Sequence, residues 1–393
     1  MKDLVSIIIP AYNHEKYIYD CINSVLNQTY TNIEVLVEDD CSTDKTREVI
    51  SKIKDDRLKK IYSKKNKGVV NTINELSNKC NGKYIAVIGS DDIWYPTKIE
   101  EQVQVFEKNP KLGAVFTEVD FIDENGKKYT DKKVFNYENV SSSKRIKMFY
   151  DIGNHLCHPS SMIRQKVFKD IGEYNNAYRQ LHDYDYWTRL LQKYDVHIIN
   201  KKLMAYRRNR TDNKSISASN NANTIRVYNE LFYINYRMIM NMNNKTFIES
   251  FSEIFKNKRS KSSIELLCEK YFLLINMPYV CNNKSYAFSI IFNNENQNQI
   301  FETLEKKFNY TLRDFYKETG DNNQIYPTEI IYEEFEEHLK EKDKVIEELT
   351  NEIKNILNSK SWRITKPIRA IRKLKKWKKI YQNTIFIQIN GGI

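Results

Sequence analysis

No apolar run in this 393-residue chain approaches the length of a membrane-spanning helix, which needs about 20 residues. The amino terminus lacks a cationic segment leading into a long apolar one, so no secretory leader is read there. No GxGxxG follows the first apolar run and no GxxxxGK[ST] occurs anywhere, which disfavours a dinucleotide fold and a P-loop. The six cysteines (Cys21, Cys41, Cys80, Cys157, Cys268, Cys281) form no CxxC and no metal-ligand spacing. They read as reduced, mostly buried residues. Acid is absent from the last 35 residues, which carry ten Lys and Arg, while the whole chain has a formal charge of +12. The body is therefore close to neutral, which argues against nucleic acid as a partner. A cytoplasmic protein is expected, with a tail suited to the inner face of the cell membrane.

The chain does contain three acidic clusters: Glu38-Asp39-Asp40, Ser90-Asp91-Asp92 and His182-Asp183-Tyr184-Asp185. The first two each end a short apolar run. Val5–Tyr12, Ile33–Val37, Leu58–Tyr62, Tyr84–Ile88 and Ala114–Phe121 read as strands, and Asp123-Glu124-Asn125-Gly126 as a hairpin turn. Helical spacing fills His14–Leu26, the segment after Ser42 and Asp44 (both N-cap-like), Val69–Cys80 and Thr97–Glu107. Shorter helices are expected at Arg145–Asp151, Gln165–Ile171 and Tyr184–Lys193. This order predicts an α/β fold with a mainly parallel sheet flanked by helices. Such sheets bind ligands at the carboxyl ends of their strands.

Those ends carry the candidate chemistry. Pro10-Ala11-Tyr12-Asn13 closes the first strand beside Asp39, so a carboxylate to accept a base N–H lies next to an aromatic face. Asn66-Lys67-Gly68 is either a close-approach loop or an ordinary tight turn. Asp92 is the candidate ligand for Mn²⁺ or Mg²⁺, which is satisfied by one or two carboxylates plus substrate phosphates. Asp91 would face the ribose or the metal's surroundings. The alternative for this pair is a helix N-cap before Pro96. Asp183, at a helix amino terminus, is held ionised by the helix dipole and is a candidate general base; its alternative is a simple N-cap acid. Tyr206-Arg207-Arg208, with Lys214-Ser215-Ile216-Ser217, is either a diphosphate-closing loop or a solvated one.

Together, VSIIIPAYN (5–13), NIEVLVEDDCSTDKT (32–46), NKGVVNTIN (66–74), GKYIAVIGSDDIWYPTKIEEQV (82–103) and LHDYDYWTRLL (181–191) closely resemble the family 2 glycosyltransferases, which have the GT-A fold. The resemblance covers about residues 3–217 and has the cast of bacterial surface-polysaccharide enzymes. It implies that Pro10, Ala11, Tyr12, Asn13, Asp39, Asn66, Gly68, Asp91 and Arg207 bind the nucleotide sugar, that Asp92 holds the metal, and that Asp183 is the base of an inverting transfer. The implied partners are a nucleoside-diphosphate sugar and a glycan or lipid-linked acceptor. Cys41 stands where the family often has Gly, Gly89 where many members have a further Asp, and His182 where an acidic partner of Asp183 is usual. A charged His182 is expected to depress the proton affinity of Asp183.

The expected organisation is a catalytic domain over 1–219, a helical accessory region over 220–328, a coiled-coil segment over 329–358 and a basic amphipathic tail over 359–393. Tyr332, Phe335, Leu339, Lys342, Ile346, Leu349, Ile353 and Ile356 follow heptad steps. This pattern suits an oligomer through 329–358, or a single amphipathic helix folded onto the body. The stretch 360–382 suits anionic membrane, or an acidic protein partner. Two readings compete with the transferase: a catalytically inactive scaffold in a polysaccharide assembly complex, and a nucleotidyltransferase. Residues 5–20 lack the Gly-rich signature of the latter.

Overall fold

The computed structural model describes residues 2–130, 135, 137–208, 220–278, 284–320 and 328–358, with side chains described for 336–355 of the last range. The 214–217 loop, Cys281, the side chains of Tyr332, Phe335 and Ile356, and the basic tail lie outside the described residues.

Strand and helix alternate at first: β1 (Val5–Ala11), α1 (Ile18–Leu26), β2 (Ile33–Asp39), α2 (Thr46–Lys52), β3 (Leu58–Tyr62), α3 (Val69–Asn78) and β4 (Tyr84–Val87). Then come β5 (Ile93–Trp94), α4 (Lys98–Lys108), β6 (Leu112–Ile122), β7 (Lys128–Tyr129), α5 (Ser142–Ile152), β8 (Met162–Arg164), α6 (Gln165–Ile171), α7 (His182–Leu191) and β9 (Asp195–Arg207). Helices follow: α8 (Asn221–Asn241), α9 (Asn244–Phe251), α10 (Ser263–Ile275), α11 (Ser285–Phe292), α12 (Gln297–Phe308), α13 (Leu312–Gly320) and α14 (Thr328–Asn358).

The strand order is β3-β2-β1-β4-β8-β6-β9-β5, with β7 paired to β6. The β-α alternation accounts for the parallel part, β3-β2-β1-β4. Beyond β4 the sheet is mixed: β8 runs antiparallel to both β4 and β6, β9 is parallel to β6, and β5 is antiparallel to β9.

Strand residues alternate between two faces, and in the parallel part both faces are apolar. Ile8 and Leu36 join a core with Val70 and Ile73 of α3, whereas Ile7, Ile9, Val35 and Val37 join one with Ile18, Ile22 and Val25 of α1. Burying each such side chain contributes about 1.5–3 kcal/mol. The first of these cores continues into Met238, Phe247, Leu273 and Leu304 of the later helices. Residues 1–322 thus form one compact unit, and residues 323–393 a second. In the second, α14 leaves Leu339, Val345, Ile346 and Ile353 about half exposed.

The N-cap expectation for α2 needs correcting. Lys45 occupies the cap position without a side-chain bond. Asp44 accepts from Thr46 N from one residue before the cap, and Ser42 Oγ accepts from Asn13 N instead. Both side chains hold the loop after β1 against the loop after β2.

Candidate functional site

Parallel pairing in register sets Ala11 opposite Asp39, and the backbone N–H of Asp40 donates to Ala11 O at 2.8 Å. The chain then turns sharply on both sides. Asn13 (φ 54°) and Cys41 (φ 61°) take the left-handed conformation, which is unfavourable for most side chains and tolerated by Asn. Cys41 thus adopts a conformation that glycine takes more readily. Asn13 Oδ1 accepts from Thr43 N at 2.8 Å, so the two turns are tied together. Tyr12 emerges from this knot 43% exposed, its ring open to a ligand.

The three acids ending β2 have different partners. Glu38 pairs with Lys67 Nζ at 2.7 Å and accepts from Ser63 Oγ at 2.6 Å. Asp40 accepts from the backbone N–H groups of Lys67 and Gly68, each at 2.9 Å. It therefore fixes the Asn66-Lys67-Gly68 loop, where Gly68 (φ 84°) opens α3. Asp39 is fully buried; Oδ2 accepts a long 3.4 Å bond from Ser42 N, and Oδ1 has no partner among the described residues. An unsatisfied buried acceptor is costly, and a base N–H arriving over Tyr12 would satisfy it.

β4 runs parallel to β1, which brings Gly89-Ser90-Asp91-Asp92 beside the same strand ends. His14 Nδ1 lies 2.7 Å from Ser90 Oγ and links the two loops. β5 then pairs with β9, so Asp92 Oδ1 accepts from the backbone N–H of Arg207 at 2.8 Å. Asp92 Oδ2 is buried with no partner among the described residues. Burial, with Asp91 beside it, pushes the Asp92 carboxyl well above its usual range. Gly89 makes room: a Cβ there would fall 2.8 Å from Asp92 Oδ2 and 3.0 Å from Asp91 Oδ1. Among the described residues no group of three or more His, Cys, Asp or Glu is placed to hold a metal ion. A hard divalent cation sharing its sphere with phosphate oxygens and water needs only one or two carboxylates. The orphaned Asp92 oxygen and adjacent Asp91 fit that requirement.

Arg207 does not stand free. Its Nε donates to Asp91 O and its Nη1 to Asp123 O, and its guanidinium lies 4.4 Å from the centre of the Tyr17 ring. These contacts buttress the Asp91-Asp92 turn from below.

Asp183 lies in the first turn of α7. Asn154 Nδ2 donates to its Oδ2 at 2.8 Å, and Tyr184 N to its Oδ1 at 2.8 Å. Burial raises its pKa; His182 and the Asn154 bond oppose that rise without cancelling it. His182 thus lowers the proton affinity of Asp183 as the sequence led one to expect, but desolvation outweighs it and the net shift is upward. Behind Asp183, His158 is buried, its pKa pushed down to about 3 chiefly by burial and further by His182. It lies 3.1 Å from Tyr174 OH.

Sequence reasoning missed the segment joining these centres. Asn154 holds Asp183, the His158 ring packs edge-on to His182, and the carboxylate of Asp92 adds to burial in raising the Cys157 thiol pKa. Pro159 O then accepts from Trp94 Nε1. Residues 154–159 thus contact both the turn that carries Asp91 and Asp92 and the helix that carries the candidate base. Nothing local in Asn154-His155-Leu156-Cys157-His158 signals this, because its partners are distant in sequence.

The family model for Glycosyl transferase family 2 matches residues 6–172. The uncharacterized glycosyltransferase MJ1057 of Methanocaldococcus jannaschii is 34% identical over 217 residues, covering 54% of this chain and 73% of that protein. The Escherichia coli protein WfaP, a UDP-Glc:alpha-D-GlcNAc-diphosphoundecaprenol beta-1,3-glucosyltransferase, is 46% identical over 105 residues, 27% of this chain and 42% of that one. Among solved structures, S. aureus TarS 1–349 in complex with UDP-GlcNAc superposes with a TM-score of 0.52 at 19% identity, covering 78% of this chain and 92% of that one, a likeness of fold. No helix among the described residues is long and apolar enough to cross a membrane. With its GT-A-like sheet, its strand-end acids and these relatives, the chain belongs to glycosyl transferase family 2.

Proposed function

We propose that this glycosyltransferase moves a sugar, with inversion, from a nucleoside-diphosphate sugar to a hydroxyl of a glycan or lipid-linked acceptor in bacterial surface-polysaccharide synthesis. The observation that carries the reading is the contrast among the strand-end acids. Asp40 is saturated by the Lys67 and Gly68 amides. Glu38 is ion-paired to Lys67 through Oε1, although its Oε2 is buried without a partner among the described residues. Asp39 Oδ1 and Asp92 Oδ2 are likewise buried without partners among the described residues. The open oxygens of Asp39 and Asp92, with Tyr12 exposed at the end of β1, suit a base at one end of a donor and a cation-bound diphosphate at the other.

In this reading Asp39 accepts the base N–H and Tyr12 stacks on the base. Pro10, Ala11 and Asn13 shape the same pocket, with Asn66 and Gly68 at its edge. Asp91 faces the ribose, and Arg207 holds the turn that presents Asp91 and Asp92. Asp92 holds Mn²⁺ or Mg²⁺, whose charge would stabilise the departing diphosphate. Asp183 takes the proton of the acceptor hydroxyl as its oxygen bonds to the anomeric carbon. The bond from that carbon to the diphosphate oxygen breaks, and the nucleoside diphosphate leaves with the electron pair. Likeness to WfaP makes a UDP-sugar and a lipid-diphosphate-linked acceptor the first candidates. The tail at 360–382 is proposed to hold the enzyme on anionic membrane, and α14 to pair with a second copy. Liposome co-sedimentation and light scattering, before and after deletion of each segment, test these two points.

The deciding experiment measures nucleotide release from UDP-, GDP-, TDP- and CMP-sugars with Mn²⁺, with Mg²⁺ and with chelator, in the presence and absence of polyprenyl-diphosphate sugars. Metal-dependent release of one nucleoside diphosphate supports the reading and names the donor. If no donor is consumed and none binds by calorimetry, the scaffold reading replaces it.

A further inference from the structure

The helix that carries Asp183 begins without a side-chain cap of its own. Its cap position is Leu181, which has no side-chain acceptor for the amides of the first turn. A Ser, Thr, Asp or Asn oxygen is the preferred acceptor at this point. Here a carboxylate arrives from a remote helix. Glu230 of α8 accepts from Arg179 N at 2.9 Å through Oε1, and from Gln180 N at 2.8 Å and Leu181 N at 2.7 Å through Oε2. Glu230 is buried, and burying a carboxylate is unfavourable unless its oxygens are well bonded. Three charge-assisted bonds to successive amides meet that requirement and leave the chain entering α7 little freedom.

α8 makes further ties to the same short stretch. Gln180 Nε2 donates to Asn223 Oδ1 at 2.9 Å, and Tyr184 OH donates to Asn235 Oδ1 at 2.7 Å. The Arg237 guanidinium lies 3.7 Å from Asp185. These ties reach the residue following Asp183 and the one two beyond it. On its other side Asp183 is fixed by Asn154. The family model ends at residue 172, before either Asp183 or α8.

We infer that Glu230 is a positioning residue for sugar transfer: it grips residues 179–181 and thereby sets the angle and depth at which Asp183 meets the acceptor hydroxyl. The inference rests on the reading of Asp183 as the base. It gives the helical region a part in the reaction, since α8 completes the mounting of a group that the α/β sheet alone leaves half supported.

The test compares Glu230→Gln, Glu230→Asp and Asp183→Asn by steady-state kinetics, with nucleoside-diphosphate binding by calorimetry. Glutamine keeps the shape but sets an NH₂ group against backbone N–H donors. Its kcat should fall about 10- to 100-fold, the scale on which a small misplacement of a reacting group costs rate. Nucleotide affinity and donor KM should stay at wild-type values. Glu230→Asp keeps the charged acceptor and should lie between the two. The inference is overturned if Glu230→Gln keeps wild-type kcat, if donor KM and kcat shift together, or if Glu230→Asp is no better than Glu230→Gln. Should Glu230→Gln not fold, Asn235→Ala, which removes the tie to Tyr184 OH from the α8 side and leaves that hydroxyl its Phe149 O partner, should show the same kcat-only loss in smaller degree, and wild-type kcat there overturns the inference. A wild-type rate in Asp183→Asn would instead remove the base assignment itself.

Discussion

Asn154 Nδ2 donates to Asp183 Oδ2 at 2.8 Å, from a loop 29 residues earlier in the chain. The bond favours the ionised carboxylate, and burial disfavours it with greater effect, so the pKa of Asp183 lies above the ordinary aspartate range. A base must be deprotonated to act, so kcat should rise with pH through that raised value. Asn154→Ala removes a bond to the charged form and should move the acid limb of kcat upward by about one pH unit, the equivalent of a hydrogen bond to a charged group. A pH–rate profile of the variant checks this; an unmoved or lowered limb rules it out.

Gly89 and the two carboxylates that follow it make a second test. Gly89 does not have a positive φ, so alanine is tolerated by the backbone there. The obstacle is space, since a Cβ would sit 2.8 Å from Asp92 Oδ2 and 3.0 Å from Asp91 Oδ1. Gly89→Ala should fold with a melting temperature within roughly 2 °C of wild type, yet lose about 10- to 100-fold in kcat/KM as the carboxylates turn aside. Thermal melts and metal titrations of activity measure the two effects separately. A variant with full activity would show that the absence of a side chain at 89 is incidental.

The readable parts of the molecule are those whose signal is local. β1, β2 and β4 announce themselves because strands buried on both faces become short runs of Val and Ile. β9 does not: its apolar residues are interrupted by Asn200-Lys201-Lys202, and its pairing with β6 shifts register around Glu118, so no period of two survives. β8 is three residues long. Apart from β6, which is read at Ala114–Phe121, the mixed half of the sheet was hidden for these reasons. The site shows the same division. Asp39, Asp91 and Asp92 stand at strand ends and could be picked out as candidates. How Glu38, Asp39 and Asp40 divide their partners depends on Lys67 and Gly68 returning from the next crossover: Lys67 pairs with Glu38 Oε1 and both amides go to Asp40, which leaves Asp39 only the long Ser42 bond. Arg207 reads as a loop cation for phosphate until β9 folds it beneath Asp91. Asn154 and Glu230 act on partners far off in the chain, where no spacing rule reaches.

Asp92→Asn should separate binding from folding. Asparagine keeps an acceptor for the Arg207 amide and removes a charge from a buried site, where ionisation is opposed by desolvation. Without metal the variant should melt at or above the wild-type temperature. With Mn²⁺ and nucleoside diphosphate the wild type should gain stability by linkage, since ligand binds the folded state, and the variant should gain much less. Its transfer activity should be lost. Equal stabilisation of both proteins by metal and nucleotide would move the cation away from Asp92.

Asp39 and Asp40 are adjacent in sequence and should respond in opposite ways. Asp40 is spent on the protein, accepting from Lys67 N and Gly68 N. Asp40→Ala should cost about 2 kcal/mol, typical of losing hydrogen bonds to a charged acceptor, and raise donor KM by loosening the 66–68 loop. Asp39 keeps Oδ1 open in the fully buried end of β2. Asp39→Asn keeps an acceptor for Ser42 N but presents a donor where the base N–H should arrive. It should therefore fold like the wild type while nucleotide affinity falls about 10- to 100-fold, the worth of one bond to a charged group. Chemical denaturation gives the stabilities, and calorimetry with nucleoside diphosphates of different bases gives the affinities. Should Asp39→Asn bind every nucleotide as tightly as wild type, the base does not dock on this carboxylate, and the pocket between Tyr12 and Asp39 loses its assignment.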